Sequence, residues 1–364
     1  MSTDQSTAET STSERSNSAA PTGGPLIWCV LAAVLFGAST PAAKPLLERV
    51  SPVLLSGLLY LGAAVAVAPW ALRNLAALRN VPRRSIARLA GAVVFGGIVG
   101  PILLLTGLSM ASAASVALWL NLETVATALL ARYFFQEHLG GRTWIAVGLI
   151  VLASIGLSGA SLGAVVPGIF VAFACVAWGL DNNLTAVIDQ FSPAQITFVK
   201  GLVAGLVNTG IGLASSTLEI ELPTIGVAMG IGALAYGASI LLYVAGAQQL
   251  GATRSQLIFS TAPVWGIVLA WTVLGEPVEP MQLVAVVFMA IAIWLWQTEQ
   301  HEHPHRHTEM AHTHWHRHDD GHHEHAHGSS SAPTTSWHSH LHRHAATQHT
   351  HDHRPDLHHR HEHE

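Results

Sequence analysis

Residues 107–137 read GLSMASAASVALWLNLETVATALLARYFFQE, and residues 246–276 read GAQQLGATRSQLIFSTAPVWGIVLAWTVLGE. The two align without a gap at an offset of 139 residues. Each gives a glycine, a turn of polar and small residues, an apolar run, and a glutamate ahead of the next run. An earlier block repeats with one gap: Phe36-Gly37 through Ser51-Pro52 matches Trp178-Gly179 through Ser192-Pro193. The chain therefore reads as two copies of one unit, residues 25–160 and 161–298.

Working outward, ten apolar runs cover both copies: 26–44, 52–72, 86–107, 111–132, 143–160, 164–187, 194–214, 224–246, 254–274 and 280–298. Each is close to the roughly 20 residues that a helix needs to cross about 30 Å of hydrocarbon. The breaks carry turn or charge chemistry, as at Ser51-Pro52, Arg83-Arg84, Gly140-Gly141-Arg142 and Leu222-Pro223. Run length, and the lack of a period-2 pattern, predict helices rather than a β-barrel.

Composition agrees. Half of the 364 residues are hydrophobic and 11% are charged, against about 25% in a soluble domain. Residues 25–298 hold only 11 Lys and Arg with 9 Asp and Glu. These values exclude an ordinary soluble enzyme. Cys29 and Cys175 both lie in apolar runs, which excludes a disulfide-built secreted domain. A net charge of −5 offers no footprint for a polyanion, so no nucleic-acid partner is expected. Residues 1–24, rich in Ser and Thr, read as a disordered segment and lack the pattern of a signal peptide.

Five spans per copy is an odd number, so the second copy must sit inverted in the membrane. Inverted repeats that meet at a central site are the architecture of many secondary transporters. The expected fold class is thus an all-α integral membrane protein, with ten transmembrane helices as two inverted five-helix repeats and disordered tails at both ends. Arginine sets the orientation. Arg73, Arg79, Arg83, Arg84 and Arg88 lie between the second and third runs, Arg132 and Arg142 flank the next turn on that side, and Arg254 follows the eighth run. Both termini are therefore expected in the cytoplasm.

The chain resembles the EamA-type branch of the drug/metabolite transporter superfamily. The strings that carry the likeness are Phe36-Gly37-Ala38-Ser39-Thr40-Pro41, Phe135-Gln136-Glu137-His138-Leu139, Ser260-Thr261-Ala262-Pro263 and Leu274-Gly275-Glu276-Pro277. A narrower likeness is to bacterial members with Gly179-Leu180-Asp181-Asn182-Asn183-Leu184-Thr185, Lys200-Gly201-Leu202-Val203-Ala204-Gly205 and a His-rich tail. The resemblance implies ten helices in two five-helix repeats, a bacterial inner membrane, and small hydrophilic or amphipathic metabolites as cargo. One departure stands out. Glu123-Thr124 occupies the place of Ala262-Pro263, so the fourth helix is expected to lack the kink of the ninth.

Charge inside a membrane is costly, about 2.5–3.5 kcal/mol for Asp, Lys or Arg at a helix centre, and such residues face a cavity or one another. Glu123 sits near the middle of the fourth run beside Asn121 and is a candidate proton or substrate-amine site. Asp181 and Asn182 lie late in the sixth run, and Lys200 about two turns into the seventh. Asp181 with Lys200 reads either as an ion pair locking two helices or as a coupling pair. Lys44 closes the first run after Ser39, Thr40 and Pro41, and Pro41 frees a backbone carbonyl. Tyr236 and Gln256 add polar atoms on the eighth and ninth runs. Pro41 apart, these ten side chains form the expected cavity. Glu137 and Glu276 read as helix-end structure.

No phosphate loop of the Gly-x4-Gly-Lys-Ser/Thr form occurs. No enzyme activity is expected, and transport needs no cofactor and runs on ion or substrate gradients. Residues 299–364 form a different piece, with 23 of the 24 histidines. His-x-His recurs at His301, His303, His305 and His307, at His312, His314, His316 and His318, and at His338, His340, His342 and His344. The chain ends with His358, His359, His361 and His363 among acids and Arg360. Neutral imidazole ligates Zn, Ni, Co or Cu, and alternating spacing puts ligands on one side of an extended segment. The tail reads as a disordered metal-binding segment. Two functions compete: a carrier of a small metabolite or drug-like solute with an accessory tail, and a divalent-metal transporter whose tail collects or delivers the ion. The core, with no His inside a run, favours the first. Partners are the solute and membrane lipid; oligomeric state is left open.

Overall fold

The computed structural model describes residues 24–73, 81–135, 141–158, 162–186, 188, 191–215, 221–250 and 258–297, and four short stretches of the tail. The first copy contains α1 (Gly24–Gly37), α2 (Ser39–Ala43), a 3₁₀ turn at Lys44–Glu48, and α3 (Pro52–Ala71). Next come α4 (Arg83–Ala92), a π-helical segment at Val93–Val99, and α5 (Gly100–Met110). It closes with α6 (Ala113–Trp119), α7 (Leu122–Phe135) and α8 (Gly141–Ser158). The second copy contains α9 (Leu162–Ala186), α10 (Pro193–Ser215), α11 (Leu222–Gly232), a π-helical segment at Ala233–Ala238, and α12 (Ser239–Leu250). It ends with α13 (Ala262–Thr272) and α14 (Pro280–Gln297).

Among the described residues, seven helical stretches are long and apolar enough to span a membrane, including Gly24–Glu48, Arg83–Met110 and Leu222–Gly246. Three shorter apolar helices, Gly141–Gly156, Ala262–Thr272 and Pro280–Leu295, stand where the fifth, ninth and tenth spans were expected. The outward faces are hydrocarbon: Leu152, Phe173 and Leu206 are all more than half exposed. Inside, Trp119, Leu54, Leu105 and Val171 are sealed from solvent.

The repeated Ser-Pro pairs start helices for the same physical reason. Ser51 accepts from the Leu54 amide, and Pro52 fills the first helical position, where no donor is needed. Ser192 and Gln195 close a reciprocal capping box: the Ser192 amide donates to Gln195 Oε1 at 2.9 Å, and the Gln195 amide donates to Ser192 Oγ at 3.3 Å.

Packing follows the repeat. α3 lies on α10 and α8 lies on α14, each helix against its own counterpart. α1 packs on α12 and α13, while its counterpart α9 packs on α5 and α7. Two glycines permit the latter contacts. A methyl at Gly37 would strike the Ala262 carbonyl, and one at Gly179 the Ala126–Thr127 backbone.

Both copies also break at matched places. The π-helical segments begin at Val93 and Ala233. The fourth run breaks between α6 and α7 at Leu120–Asn121, and the ninth breaks at Ser260–Thr261 ahead of α13. The expectation that the fourth helix lacks a kink is corrected. Proline is not needed there because Asn121 competes with the backbone, its Nδ2 donating to the Leu118 carbonyl at 3.1 Å. The Asn121, Glu123 and Thr124 amides then bond three residues back, to Leu118, Leu120 and Asn121. At the other break Thr261 does similar work, with Oγ1 on the Ile258 carbonyl at 2.7 Å.

In the tail, where no regular structure was expected, four stretches form strands: β1 (His301–His307), β2 (Met310–His316), β3 (His338–His344) and β4 (Thr347–His353). β1 pairs antiparallel with β4, and β2 with β3. The alternating His-x-His pattern has the period of a strand, and it sets histidines at opposed register positions. Each of these two sheets has two strands.

Candidate functional site

The two helix breaks face each other across a cavity of about 130 Å³. Leu120, Asn121, Glu123 and Thr124 line it from one break, and Phe259, Ser260, Ala262 and Pro263 from the other. Phe36, Gly37 and Thr40 close it from the first run. Thr143 and Ala146 near the start of α8, with Ala292 late in α14, place the cavity between mid-bundle and one end. That end carries Arg132, in the last turn of α7, and Arg142, at the start of α8.

The other end is tied shut. Glu276, in the turn between α13 and α14, accepts the first two amides of α6: Ala113 N to Oε1 at 2.7 Å and Ala114 N to Oε2 at 2.9 Å. Lys44 Nζ donates to the Leu108 and Ala111 carbonyls at 2.7 and 2.8 Å. One turn thus has its carbonyls held by the first run and its amides by the second copy. Orphan groups at helix ends are the usual partners for such side chains.

Glu123 stands in the first turn of α7, half-buried at the cavity wall. Its Oε1 accepts from Asn182 Nδ2 at 2.9 Å, and the same nitrogen donates to Thr127 Oγ1 at 3.2 Å. Asn183 Nδ2 donates to the Thr127 and Gly179 carbonyls at 3.2 and 2.8 Å. The two asparagines fasten α9 to α7.

Behind them lies a charged pair. Lys200 donates to Asp181 Oδ2, and Thr185 Oγ1 donates to Asp181 Oδ1 at 3.1 Å. Both charged side chains are largely withdrawn from solvent, and they join α9 to α10. Next to them the π-helical segment of the first copy turns carbonyls inward. Gly96 O accepts from Tyr60 OH at 2.6 Å and from Trp178 Nε1 at 3.0 Å, and Gly97 O accepts from Asn208 Nδ2 at 3.2 Å. Irregular helix needs such substitute partners. The other π-helical segment supplies Tyr236. Tyr236 stands edge-on to Phe36 at 6.0 Å, and Phe36 meets Phe259 at 5.4 Å. An aromatic wall thus runs from Tyr60 through Tyr236 and Phe36 to Phe259 and Tyr243.

Of the side chains expected at the cavity, Glu123, Asn121 and Thr40 line it. Asn182 joins through Glu123. Asp181 and Lys200 form an ion pair outside the lining, Tyr236 packs against Phe36, and Ser39 is buried without lining the cavity. Lys44 does not come to the cavity. At the end of its apolar run its amine reaches unpaired carbonyls of α5 and the following turn instead. Gln256 lies outside the described residues, as do Glu137, His318, His358, His359, His361 and His363. Thr143 and Phe259 line the cavity without having been singled out from sequence, and Thr124 lines it although it entered only as a departure from the repeat. Nothing marks Thr143 in the chain; Phe259 precedes the Ser-Thr-Ala-Pro break that could have pointed to it. Among the described residues no group of three or more His, Cys, Asp or Glu comes together.

The comparisons with known proteins are consistent with this arrangement. The family model described as the EamA-like transporter family matches twice, over residues 24–159 and 166–297. A protein named as an uncharacterized transporter, from Methanothermobacter thermautotrophicus, is 24% identical over 283 residues, covering 71% of this chain and 82% of its own. A solved structure described only as a crystal structure of protein matches with a TM-score of 0.57 at 14% identity. It covers 75% of this chain and 95% of its own and supports the fold alone.

Proposed function

The chain belongs to the EamA-like transporter family, and from that premise we propose that it is a secondary transporter moving a small organic solute across the inner membrane by alternating access. One observation carries the reading: a cavity bounded by a helix break from each copy, with a carboxylate at its wall. Irregular backbone at membrane depth is tolerated where it lines a cavity, and paired broken helices form the sites of many carriers.

Ten membrane helices in two inverted five-helix repeats are part of the proposal. The doubled family match, the exchange of contact partners between copies and the matched breaks support it. So does the odd number of runs per copy. The arginine-rich turns belong in the cytoplasm with both termini, and the cavity lies toward that side. Glu123 is the group that binds a proton or a substrate amine, and an ion or solute gradient drives the cycle. Asn182 positions it. Asp181 with Lys200 fastens α9, which carries Asn182.

The tail is proposed to bind Zn, Ni, Co or Cu. In register, His301, His303 and His305 oppose His353, His351 and His349. Likewise His312, His314 and His316 oppose His342, His340 and His338. Those opposed rows are what favours the second reading, a divalent-metal carrier. Uptake and efflux by the full chain beside one ending at residue 298 separate the two, with amino acids, nucleosides, drugs, Ni, Co and Zn as solutes. Equal movement of an organic solute by both chains is the expected result. Movement of metals alone, and only with the tail, overturns it.

A further inference from the structure

The bundle interior accounts for its charges one by one. Lys200 is neutralised by Asp181. Lys44 is occupied by two carbonyls and Glu276 by two amides. Glu123 is left over. Its Oε1 takes one hydrogen bond from a neutral amide, and among the described residues no donor reaches Oε2. Among the described residues, no Lys, Arg or His lines the cavity beside it. An acid at membrane depth without a protein cation calls for one from outside.

The rest of the lining states what that cation carries. Phe36 and Phe259 face the space with Ala and Val carbons around them, and aromatic faces attract cations. Asn121, Thr40 and Ser260 add neutral polar atoms. A solute carboxylate or phosphate would meet the Glu123 charge and, among the described lining residues, no cationic partner. We propose that the cavity takes a small amphipathic organic monocation, a protonated amine that donates to Glu123 Oε2 and lays its apolar part against Phe36 and Phe259. This deepens the transporter reading and rests on it.

Binding to the purified full chain at pH 7, by calorimetry, tests the charge directly with three probes of one shape: phenethylammonium, 2-phenylethanol and 3-phenylpropanoate. The expected order is the ammonium at least about tenfold tighter than the alcohol, with the carboxylate weakest. Glu123→Gln is expected to erase the ammonium's advantage, and Glu123→Asp to keep part of it in a protein that melts near the parent temperature. Equal binding of the three, a preference for the anion, binding of none, or an unchanged ammonium preference in Glu123→Gln overturns the inference. Transport of the alcohol or the anion in vesicles, without the ammonium, sinks the cation and leaves the transporter standing. Absence of any carried solute in the uptake panel counts against the transporter reading itself.

Discussion

Glu276 Oε1 accepts the Ala113 amide hydrogen at 2.7 Å, joining residues 163 positions apart in the chain. The bond ties the last turn of the second copy to the start of α6 in the first. With Lys44 on the carbonyls of the same turn, it closes the end of the bundle remote from the cavity.

Breaking this tie is expected to loosen that end. Hydrogen bonds to a charged group contribute about 1.5–3 kcal/mol each, and Glu276→Ala removes two. A cysteine at Ser115, beside the tied turn, reports the change. A membrane-impermeant thiol reagent should label it several-fold faster in Glu276→Ala than in the Ser115→Cys parent. An unchanged rate would show that the end is held by other contacts.

The Asp181–Lys200 pair should behave as a buried pair does. Removing one partner leaves an uncompensated charge and typically costs about 3–5 kcal/mol, whereas replacing both by apolar residues is near neutral. Lys200→Met is therefore expected to lower the melting temperature in detergent. Adding Asp181→Leu to it should restore most of the loss. Additive losses in the double variant contradict an ion pair that only fastens helices.

Gly179 sets the distance between α9 and α7. Gly179→Val should push the helices apart and pull Asn182 from Glu123, with transport falling at least about tenfold while helical content persists. Gly148→Val, at an exposed position with no neighbour within 4 Å of a added methyl, serves as the control. Equal effects of the two would remove the special role of the α9–α7 contact.

Metal retention by the tail should depend on pH. Imidazole ligates when neutral, and its ordinary pKa is about 6.5. Ni bound to the full chain at pH 7.5 is expected to fall away as pH drops through about 6.5. Replacing His301, His303, His305, His349, His351 and His353 with Ala should lower the bound metal further, without changing transport of an organic solute. Metal binding that survives those replacements undiminished would place the ligands elsewhere.

Much of the frame was legible in the chain because it is written in local chemistry. The glycine-to-glutamate block from Gly107 to Glu137 gave away the duplication by its copy at Gly246 to Glu276. Ser51-Pro52 and Ser192-Pro193 marked helix starts by their capping atoms. The carboxylate at Glu123 stood out by its cost in hydrocarbon. What escaped depends on distant partners. Proline was taken as the sign of a broken helix, yet Asn121 breaks one through its own side chain. Lys44 looked like a cavity residue because nothing local announces that its amine finds Leu108 and Ala111. Glu276 was legible as a helix-end residue, but the end it caps belongs to the other copy. Thr143 joins the cavity only because α8 folds against it.

The central claim is that the cavity between the two breaks opens in turn to each side of the membrane. A single cysteine at Thr124 tests it without knowledge of the solute. Cys29 and Cys175 are fully buried and leave a low background. An impermeant thiol reagent is applied to sealed vesicles of each orientation, with and without phenethylammonium. The account predicts labelling from both sides in turn, slowed when the amine is present. Labelling from one side only under every condition, or from neither, would contradict it.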